Sequence, residues 1–397
     1  MSNLARQAAE FDEACLRQAL ALAELGAGHV RPNPLVGAVI ARDGVVLGRG
    51  WHRRCGGPHA EVEAVADARS RGYANLSGSS LYVNLEPCCH QGQTPPCTNL
   101  IIDQRISRVV VGGLDPNPAV AGGGLARLRA AGIAVESGLL AADCQRLNRV
   151  FFKYIRTQQP YVLLKSALSL DGRIATAGGQ SRWISGQDSR RDVHRLRASH
   201  AAVLAGIGTV LADDPRLNVR DLPVAMTWPE GWLPADWTPP PPAQPLRVIL
   251  DSGLRLPPDS QVARSARQQP VWVVCAPQPP EPERRGLERL GLRVVELPAD
   301  RQGRPDLRRL LPLLGAEGID SVLIEAGAEL AWSALSAGVV DSVRCYYAPL
   351  IIGGQRSTGA VGGAGYLELG KALRLQDMRV ERIGEDIVME GTACLPD

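Results

Sequence analysis

A two-domain α/β protein is the fold class this sequence predicts, and three observations carry the prediction. The chain has 397 residues, more than one ordinary core accommodates. Hydrophobic residues make up 45% of it, enough to fill two sizeable cores. Short β-branched runs alternate along the chain with segments of helical periodicity, which marks an α/β architecture.

The elements follow in order. Residues 11–25 (FDEACLRQALALAEL) place apolar side chains at helical spacing, and Gly26 stands where a helix C-cap belongs. The stretch 36–49, VGAVIARDGVVLGR, reads as two strands joined by the hairpin dipeptide Asp43-Gly44. Residues 59–71 (HAEVEAVADARSR) read as a helix stopping before Gly72, 80–85 (SLYVNL) and 108–113 (RVVVGG) as strands, and 125–131 as a helix. The first domain is thus expected over 1–148, a hinge near 146–160, and a second domain over 158–397. In the second domain, apolar runs at 161–168, 201–208, 246–252, 270–276, 292–297 and 321–327 read as strands, with helices at 306–315 and 328–337. Strands this uninterrupted in hydrophobicity predict a largely parallel sheet buried on both faces. Residues 221–245 break the pattern, with Trp228, Trp232 and Trp237 set among prolines. We read them as a long surface insertion, with a partner-binding role as the alternative.

Lys plus Arg number 44 against 41 Asp plus Glu, a net charge of +3, so bulk charge argues for neither a nucleic-acid nor a membrane partner. The N-terminus carries acids early and has no long apolar run, so no secretory leader is expected. No segment approaches the roughly 18–20 apolar residues of a membrane helix, and a cytoplasmic protein is expected. In a reducing compartment a tight group among the nine cysteines, here Cys88, Cys89 and Cys97, suggests metal rather than disulfides. Cys15, Cys144, Cys275, Cys345 and Cys394 are scattered and read as packing residues.

His59-Ala60-Glu61 opens a predicted helix, Pro87-Cys88 follows a predicted strand, and Pro96-Cys97 comes nine residues later. Three such ligands suit Zn²⁺ and leave a fourth position for water, whose pKa zinc lowers to about 7. A carboxylate beside the metal, here Glu61, can take the water's proton and hand it to a leaving amine. This is the pattern of zinc deaminases, H-x-E…P-C-x-x-C, except that the second cysteine lies at +9 rather than +3. The intervening CHQGQTPP must then form a loop. The alternative is a closed structural zinc with Cys89 or His90 as fourth ligand, and His52 and Cys55 lie close enough upstream to compete. A polynucleotide deaminase would share the metal site, but no basic stripe supports it.

In the second domain no G-x-G-x-x-G follows a strand, so a classical dinucleotide fold is not indicated. The strand–Gly–helix junctions at 321–335 and 205–215 could each aim backbone N–H groups at an anion.

Taken together, GHVRPNPLVGAVIARDG (28–44), GGPHAEVEAV (56–65), LEPCCHQGQTPPC (85–97), DPNPAVAGGG (115–124), KSALSLDGRIA (165–175), SRWISG (181–186), RDVHRLRA (191–198) and VLADDPRLNVR (210–220) resemble the bifunctional riboflavin-biosynthesis deaminase–reductase family. The longer cysteine loop is a feature of that family, and Cys89 stands where a small polar residue is expected. The resemblance implies an N-terminal cytidine-deaminase-like three-layer domain holding zinc on His59, Cys88 and Cys97, with Glu61 catalytic and Asn33 on the pyrimidine. It implies a C-terminal dihydrofolate-reductase-like domain using NADPH. There the nucleotide would touch Ala167, Trp183, Thr209, Asp213, Ser252 and the turn formed by Gly327, Ala328, Glu329, Leu330, Ala331, Trp332 and Ser333. The substrate would touch Ser181, Arg197, Leu217, Arg220 and Glu325, the two arginines gripping its ribose phosphate. Lys165 and Asp171 are further candidates to assist chemistry. Pyrimidine ribosyl phosphates are the implied partners, and a homo-oligomer the implied assembly.

Overall fold

The computed structural model describes residues 3–91, 95–117, 120–222, 228–234 and 237–394. Two compact units result, one of Met1–Gln158 with Met226–Pro241, the other of Gln159–Ala225 with Pro242–Asp397.

The first unit runs α1 (Asn3–Glu24), β1 (Gly37–Arg42), β2 (Val45–Trp51), α2 (Ala60–Ser70), β3 (Ser80–Leu85), α3 (Cys97–Asp103), β4 (Arg108–Gly113), α4 (Gly123–Ala130), β5 (Ala134–Ser137), α5 (Ala141–Leu147) and α6 (Arg149–Thr157). Its sheet has the order β2-β1-β3-β4-β5, antiparallel from β2 to β3 and parallel from β3 to β5. Strand alternation sends Ala38 and Ile40 towards α2–α4, and Val39 and Ala41 towards α1, giving three layers. Helix α1 starts eight residues before the apolar pattern does. The described side chains of its first turns are exposed, so periodicity could not mark them; an Arg6–Glu10 pair at 2.9 Å lies along them.

Glycines decide how closely the layers approach. A Cβ on Gly48 or Gly50 would overlap the Ala64 or Ala60 carbonyl oxygen of α2, and one on Gly37 would overlap that of Ala19 in α1. Helix α2 therefore lies directly on the β1–β2 hairpin.

The expected hinge at 146–160 is a correction: α5 and α6 occupy most of it. Asn148 joins them and is buried, its side chain accepting from Leu35 N–H at 2.8 Å and donating to Leu35 C=O at 2.9 Å. The tryptophan insertion is also more than a surface excursion. Leu233 and Trp237 pack against the α1-side core, Trp237 meets Trp51 edge-on at 5.9 Å, and the Gly231 carbonyl accepts from Arg71 at 2.7 Å. Residues 223–227 and 235–236 of that insertion, and 92–94 of the cysteine loop, lie outside the described residues.

The second unit contains β6 (Tyr161–Ser169), β7 (Arg173–Ala175), α7 (Gln187–Ser199), β8 (Ala202–Gly206), α8 (Ile207–Asp213), β9 (Leu246–Leu250), α9 (Gln261–Arg264), β10 (Val271–Cys275), α10 (Glu281–Arg289), β11 (Arg293–Glu296), α11 (Leu307–Ala316), β12 (Ser321–Glu325), α12 (Ala328–Ser336), β13 (Ser342–Ala348), β14 (Thr358–Gly359), β15 (Arg374–Ile383) and β16 (Asp386–Cys394). Nine strands form one sheet in the order β11-β10-β9-β8-β12-β6-β13-β16-β15. The seven from β11 to β13 are parallel, and β16 and β15 close the edge antiparallel. One face packs Leu163, Val203 and Ile249 under α7, α9 and α10; the other packs Leu164, Val248 and Ile324 under α11 and α12. Among the described residues no helix is long and apolar enough to cross a membrane.

The glycine contacts give a testable contrast. Gly50→Ala is expected to destabilise the first unit by about 1–3 kcal/mol, as overpacking does. Gly286→Ala, mid-helix in α10 with open space around it, is expected to stabilise the second by roughly 0.5–1 kcal/mol. Differential scanning calorimetry of the two variants reads both shifts.

Candidate active sites

The expected metal ligands come from three separate elements. His59 is the residue before α2, Cys88 follows β3, and Cys97 opens α3. Their ligand atoms all lie within 4.8 Å of one another, with His59 Nδ1 3.3 Å from Cys97 Sγ and 3.6 Å from Cys88 Sγ. Tetrahedral zinc with ordinary bond lengths spaces N and S ligands by about 3.5 Å, so the donor set fits Zn²⁺. The Cys97 N–H donates to Cys88 Sγ at 3.3 Å and the Thr98 N–H to the Cys88 carbonyl at 3.2 Å, fixing the two cysteines to each other despite the long loop. The bond with the Cys97 thiol is the main influence pulling the Cys88 thiol well below its ordinary range, with His59 assisting against the effect of burial.

Cys89 and His90 are not part of this cluster, and neither is His52. The His52 ring contacts the Pro58 carbonyl through Nδ1 at 2.9 Å and the Asn33 amide through Nε2 at 3.2 Å. Glu61, in the first turn of α2, is 4% exposed, and burial is the main cause that raises its pKa.

A cavity of about 670 Å³ opens on His59, Glu61 and Cys88, with Asn33 on its wall. Sequence reasoning missed several other wall residues, notably Asp115, Asn117, Phe151 and Tyr154. The DPNP motif held the first two but was used only as a family mark. The last two lie on α6, in the stretch expected to be a hinge. Burial lifts Asp115 to about 6, with Glu86 adding to the effect. Glu86 itself is buried, and its carboxylate accepts from the amides of Asp115, Gly122, Gly124 and Leu125 at 2.9–3.3 Å. It thereby ties the end of β3 to the start of α4, next to the Cys88 turn.

In the second unit a cavity of about 420 Å³ gathers most of the expected reductase residues: Lys165, Ala167, Ser181, Trp183, Arg197, Thr209, Asp213, Leu217, Arg220, Glu325 and Gly327. It sits at the carboxyl ends of β6, β8 and β12, where open parallel sheets bind ligands. A second cavity, of about 570 Å³, takes in Ser252, Glu329, Leu330 and Ser333. His194, on α7, lines the first cavity and was not singled out by its sequence context. Burial, with the Arg197 and Arg220 charges adding, lowers it to about 4.

At three places the structure engages expected site residues with the protein itself or sets them off the cavity walls. Arg197 does not present a free fork to a phosphate: its Nε and Nη2 hold Glu325 at 2.5 and 2.9 Å, and its Nη1 donates to the Asn218 carbonyl at 3.0 Å. Burial would raise Glu325, but the Arg197 charge and hydrogen bonds override it and hold the carboxylate at about 2. Asp171 lines neither cavity; it accepts from Ser169 Oγ and from the amides of Ile352 and Gly353, stitching the loop after β6 to the loop after β13. Ala328, Ala331 and Trp332 also lie off both cavity walls. Ala331 is fully buried in the core, and Trp332 packs edge-on against Tyr366 at 5.2 Å.

The comparisons with known proteins cover both units. The cytidine and deoxycytidylate deaminase zinc-binding region matches residues 9–113, and the RibD C-terminal domain matches 160–389. The riboflavin biosynthesis protein RibD of Actinobacillus pleuropneumoniae is 41% identical over 381 residues, spanning 96% of this chain and 95% of that one. That of Escherichia coli (strain K12) is 39% identical over 384 residues, spanning 95% and 98%. Among solved structures, Acinetobacter baumannii RibD superposes with a TM-score of 0.77 at 37% identity, covering 97% of this chain and 99% of that one. A diaminohydroxyphosphoribosylaminopyrimidine deaminase/5-amino-6-(5-phosphoribosylamino)uracil reductase from Thermotoga maritima gives 0.77 at 33% identity, with the same coverage. The fold is thus a cytidine-deaminase-like domain followed by a dihydrofolate-reductase-like one.

Two outcomes follow from the geometry. Elemental analysis is expected to find about one zinc ion per chain. Cys88→Ser should lose it and Cys89→Ser should keep it. In the second unit the Glu325 pKa is depressed below its usual 4.5, so its stabilisation is complete above that pH and is lost as pH falls towards 2. Urea unfolding between pH 5 and roughly 3 should show a shallower loss of stability in Glu325→Gln than in the wild type.

Proposed function

The chain belongs to the RibD family, the bifunctional deaminase–reductases of riboflavin biosynthesis, and from that premise we propose how its residues divide the two reactions. In the first, the ring amino group of 2,5-diamino-6-ribosylamino-4(3H)-pyrimidinone 5′-phosphate is replaced by oxygen and leaves as ammonia. One observation carries this reading: His59, Cys88 and Cys97 converge at zinc-ligand spacing on the wall of a cavity that also holds the buried Glu61. Zinc, when bound, makes a water acidic enough to attack at neutral pH. Glu61 takes that water's proton and returns it to the departing amine, a role suited to a carboxyl whose pKa burial has raised. Asn33, held by its contact with His52, hydrogen-bonds the pyrimidine edge.

In the second reaction, the ribosyl group of 5-amino-6-(5-phosphoribosylamino)uracil is reduced to ribityl. NADPH, when bound, supplies the hydride, which no side chain can. Trp183, Thr209, Asp213, Ser252 and the turn from Gly327 to Ser333 hold the nucleotide, with Ala328, Ala331 and Trp332 shaping that turn from behind. Arg197 acts by positioning: its fork fixes Glu325, which then accepts from sugar hydroxyls. The phosphate falls to Arg220, whose contact with Asn218 Oδ1 at 3.1 Å leaves the rest of its fork available on the cavity wall. Ser181 is oriented by donating to Asp213 at 2.9 Å, and Lys165, on the same wall, carries a proton that burial makes easier to release.

The enzyme works, on this reading, in the cytoplasm on small phosphorylated pyrimidines, as a homo-oligomer. The near-balanced charge of +3 supports small molecules over nucleic acid.

Zinc-loaded protein given the diamino substrate should release ammonia without NADPH, and oxidise NADPH only after that release. Glu61→Gln should keep its zinc and lose deamination by about 10²-fold or more, while still reducing the deaminated substrate. Absence of ammonia from the zinc-loaded wild type would refute the first assignment.

A further inference from the structure

The two cavities of the second unit flank one pair of strand–helix turns. The first cavity includes Thr209 of the β8–α8 junction and Gly327 of the β12–α12 junction. The second includes Gly206 and Gly208 of the former, and Leu330 and Ser333 of the latter. The turns themselves are adjacent, since a Cβ on Gly327 would lie 3.8 Å from Thr209 Oγ1 and one on Gly206 3.8 Å from Leu330 Cδ2. A dinucleotide is a two-headed ligand joined by a pyrophosphate, and this arrangement matches it: one head per cavity, with the bridge across the turns. The chemistry at Lys165 and Glu325 lies in the first cavity, so the adenosine end belongs in the second.

Four arginines line that second cavity, Arg255, Arg301, Arg304 and Arg308, with three acids among them, Asp300, Asp306 and Glu329. The acids are already engaged. Arg304 pairs with Asp300 at 3.3 Å, Arg308 holds Asp306 at 3.1 Å, and Glu329 accepts from the Gly363 N–H at 3.2 Å. Asp306 is further committed to capping α11 through the Arg308 N–H. Arg255 has only a long 3.8 Å approach to Asp251 and is 64% exposed at its side chain. Arg301 is exposed, and no ion pair involves it among the described residues. An adenosine ribose carrying a bare 2′-hydroxyl is recognised by a free carboxylate, one carrying a 2′-phosphate by arginine. The uncommitted groups here are cations, and both lie on the adenosine cavity alone.

We propose that Arg255 and Arg301 grip the adenosine 2′-phosphate and so select NADPH over NADH. The proposal rests on the reading of this unit as a dinucleotide-dependent reductase and adds two residues to it that the motif resemblance does not reach.

Equilibrium binding tests it without turnover. Full-length protein is titrated with NADPH and with NADH, following nicotinamide fluorescence, in the wild type, R255A/R301A and R255K/R301K. The double alanine variant is expected to weaken NADPH binding about 10- to 100-fold, the size of a lost charge-assisted pair, with NADH changed less than about twofold. The lysine variant should recover part of the loss, and the salt dependence of NADPH binding should flatten in the alanine variant. Equal weakening of both dinucleotides, or none, overturns the proposal while leaving the reductase reading standing. A wild type that binds neither dinucleotide overturns that reading and the proposal with it.

Discussion

The first unit depends on how closely α2 can lie on the β1–β2 hairpin. Gly48 and Gly50 remove the side chains that would hold the helix away, and Ala60 and Ala64 present the smallest surface to meet them. Because the helix is pressed onto the sheet, its first turn is set at a fixed height. That height brings His59 Nδ1 to 3.3 Å from Cys97 Sγ and 3.6 Å from Cys88 Sγ, and it buries Glu61 beside them. A metal centre assembled from three elements tolerates little play in any of them. The small residues of the hairpin are therefore as much part of the site as its ligands.

Both units manage buried charge by the same means, full satisfaction, but with different partners. In the first, the Glu86 carboxyl group accepts from four backbone amides and anchors the turn that delivers Cys88. In the second, Glu325 is neutralised by a single bidentate guanidinium across the cavity wall. A buried ion pair of this kind adds little net stability, since desolvation offsets much of the attraction. What it fixes is geometry: the carboxylate keeps one orientation and its charge at neutral pH. Arg197 spends its fork on Glu325 and the Asn218 carbonyl, so it is Arg220, with a single contact to Asn218 Oδ1, that keeps most of its donors open to the cavity.

Much of this was legible in the residues. The hairpin at Asp43-Gly44, the metal triad with its carboxylate, and six strands of the parallel sheet all carry local signals of turn chemistry or apolar continuity. Three kinds of feature were not. The solvent-exposed start of α1 and the exposed edge strand β15 bury too little to leave a hydrophobic pattern. Helices α5 and α6 were hidden because their break at Asn148 resembles a linker, when it is in fact a buried side chain bonded to Leu35. Pairings between distant residues, such as Arg197 with Glu325 or Asp171 with the loop after β13, have no sequence signature at all. Each of these residues also bonds to a part of the chain far away in sequence, and that partner leaves no mark in the local motif.

The tryptophan segment has a consequence for how the molecule comes to be made. Its residues complete the first unit, yet they are encoded some seventy positions after that unit's last helix, inside the span that builds the second. A ribosome therefore releases α1–α6 well before Trp237 can reach Trp51 and the apolar surface around it. During that interval the nascent deaminase half has an uncovered flank, and it is finished only while the reductase half is already being threaded out. The two activities could not be separated cleanly by a single cut between residues 158 and 159, because the chain passes from one unit to the other three times. The bifunctional chain is thus joined by interleaving as well as by a linker, and a gene split at the apparent boundary would leave one product without its last piece.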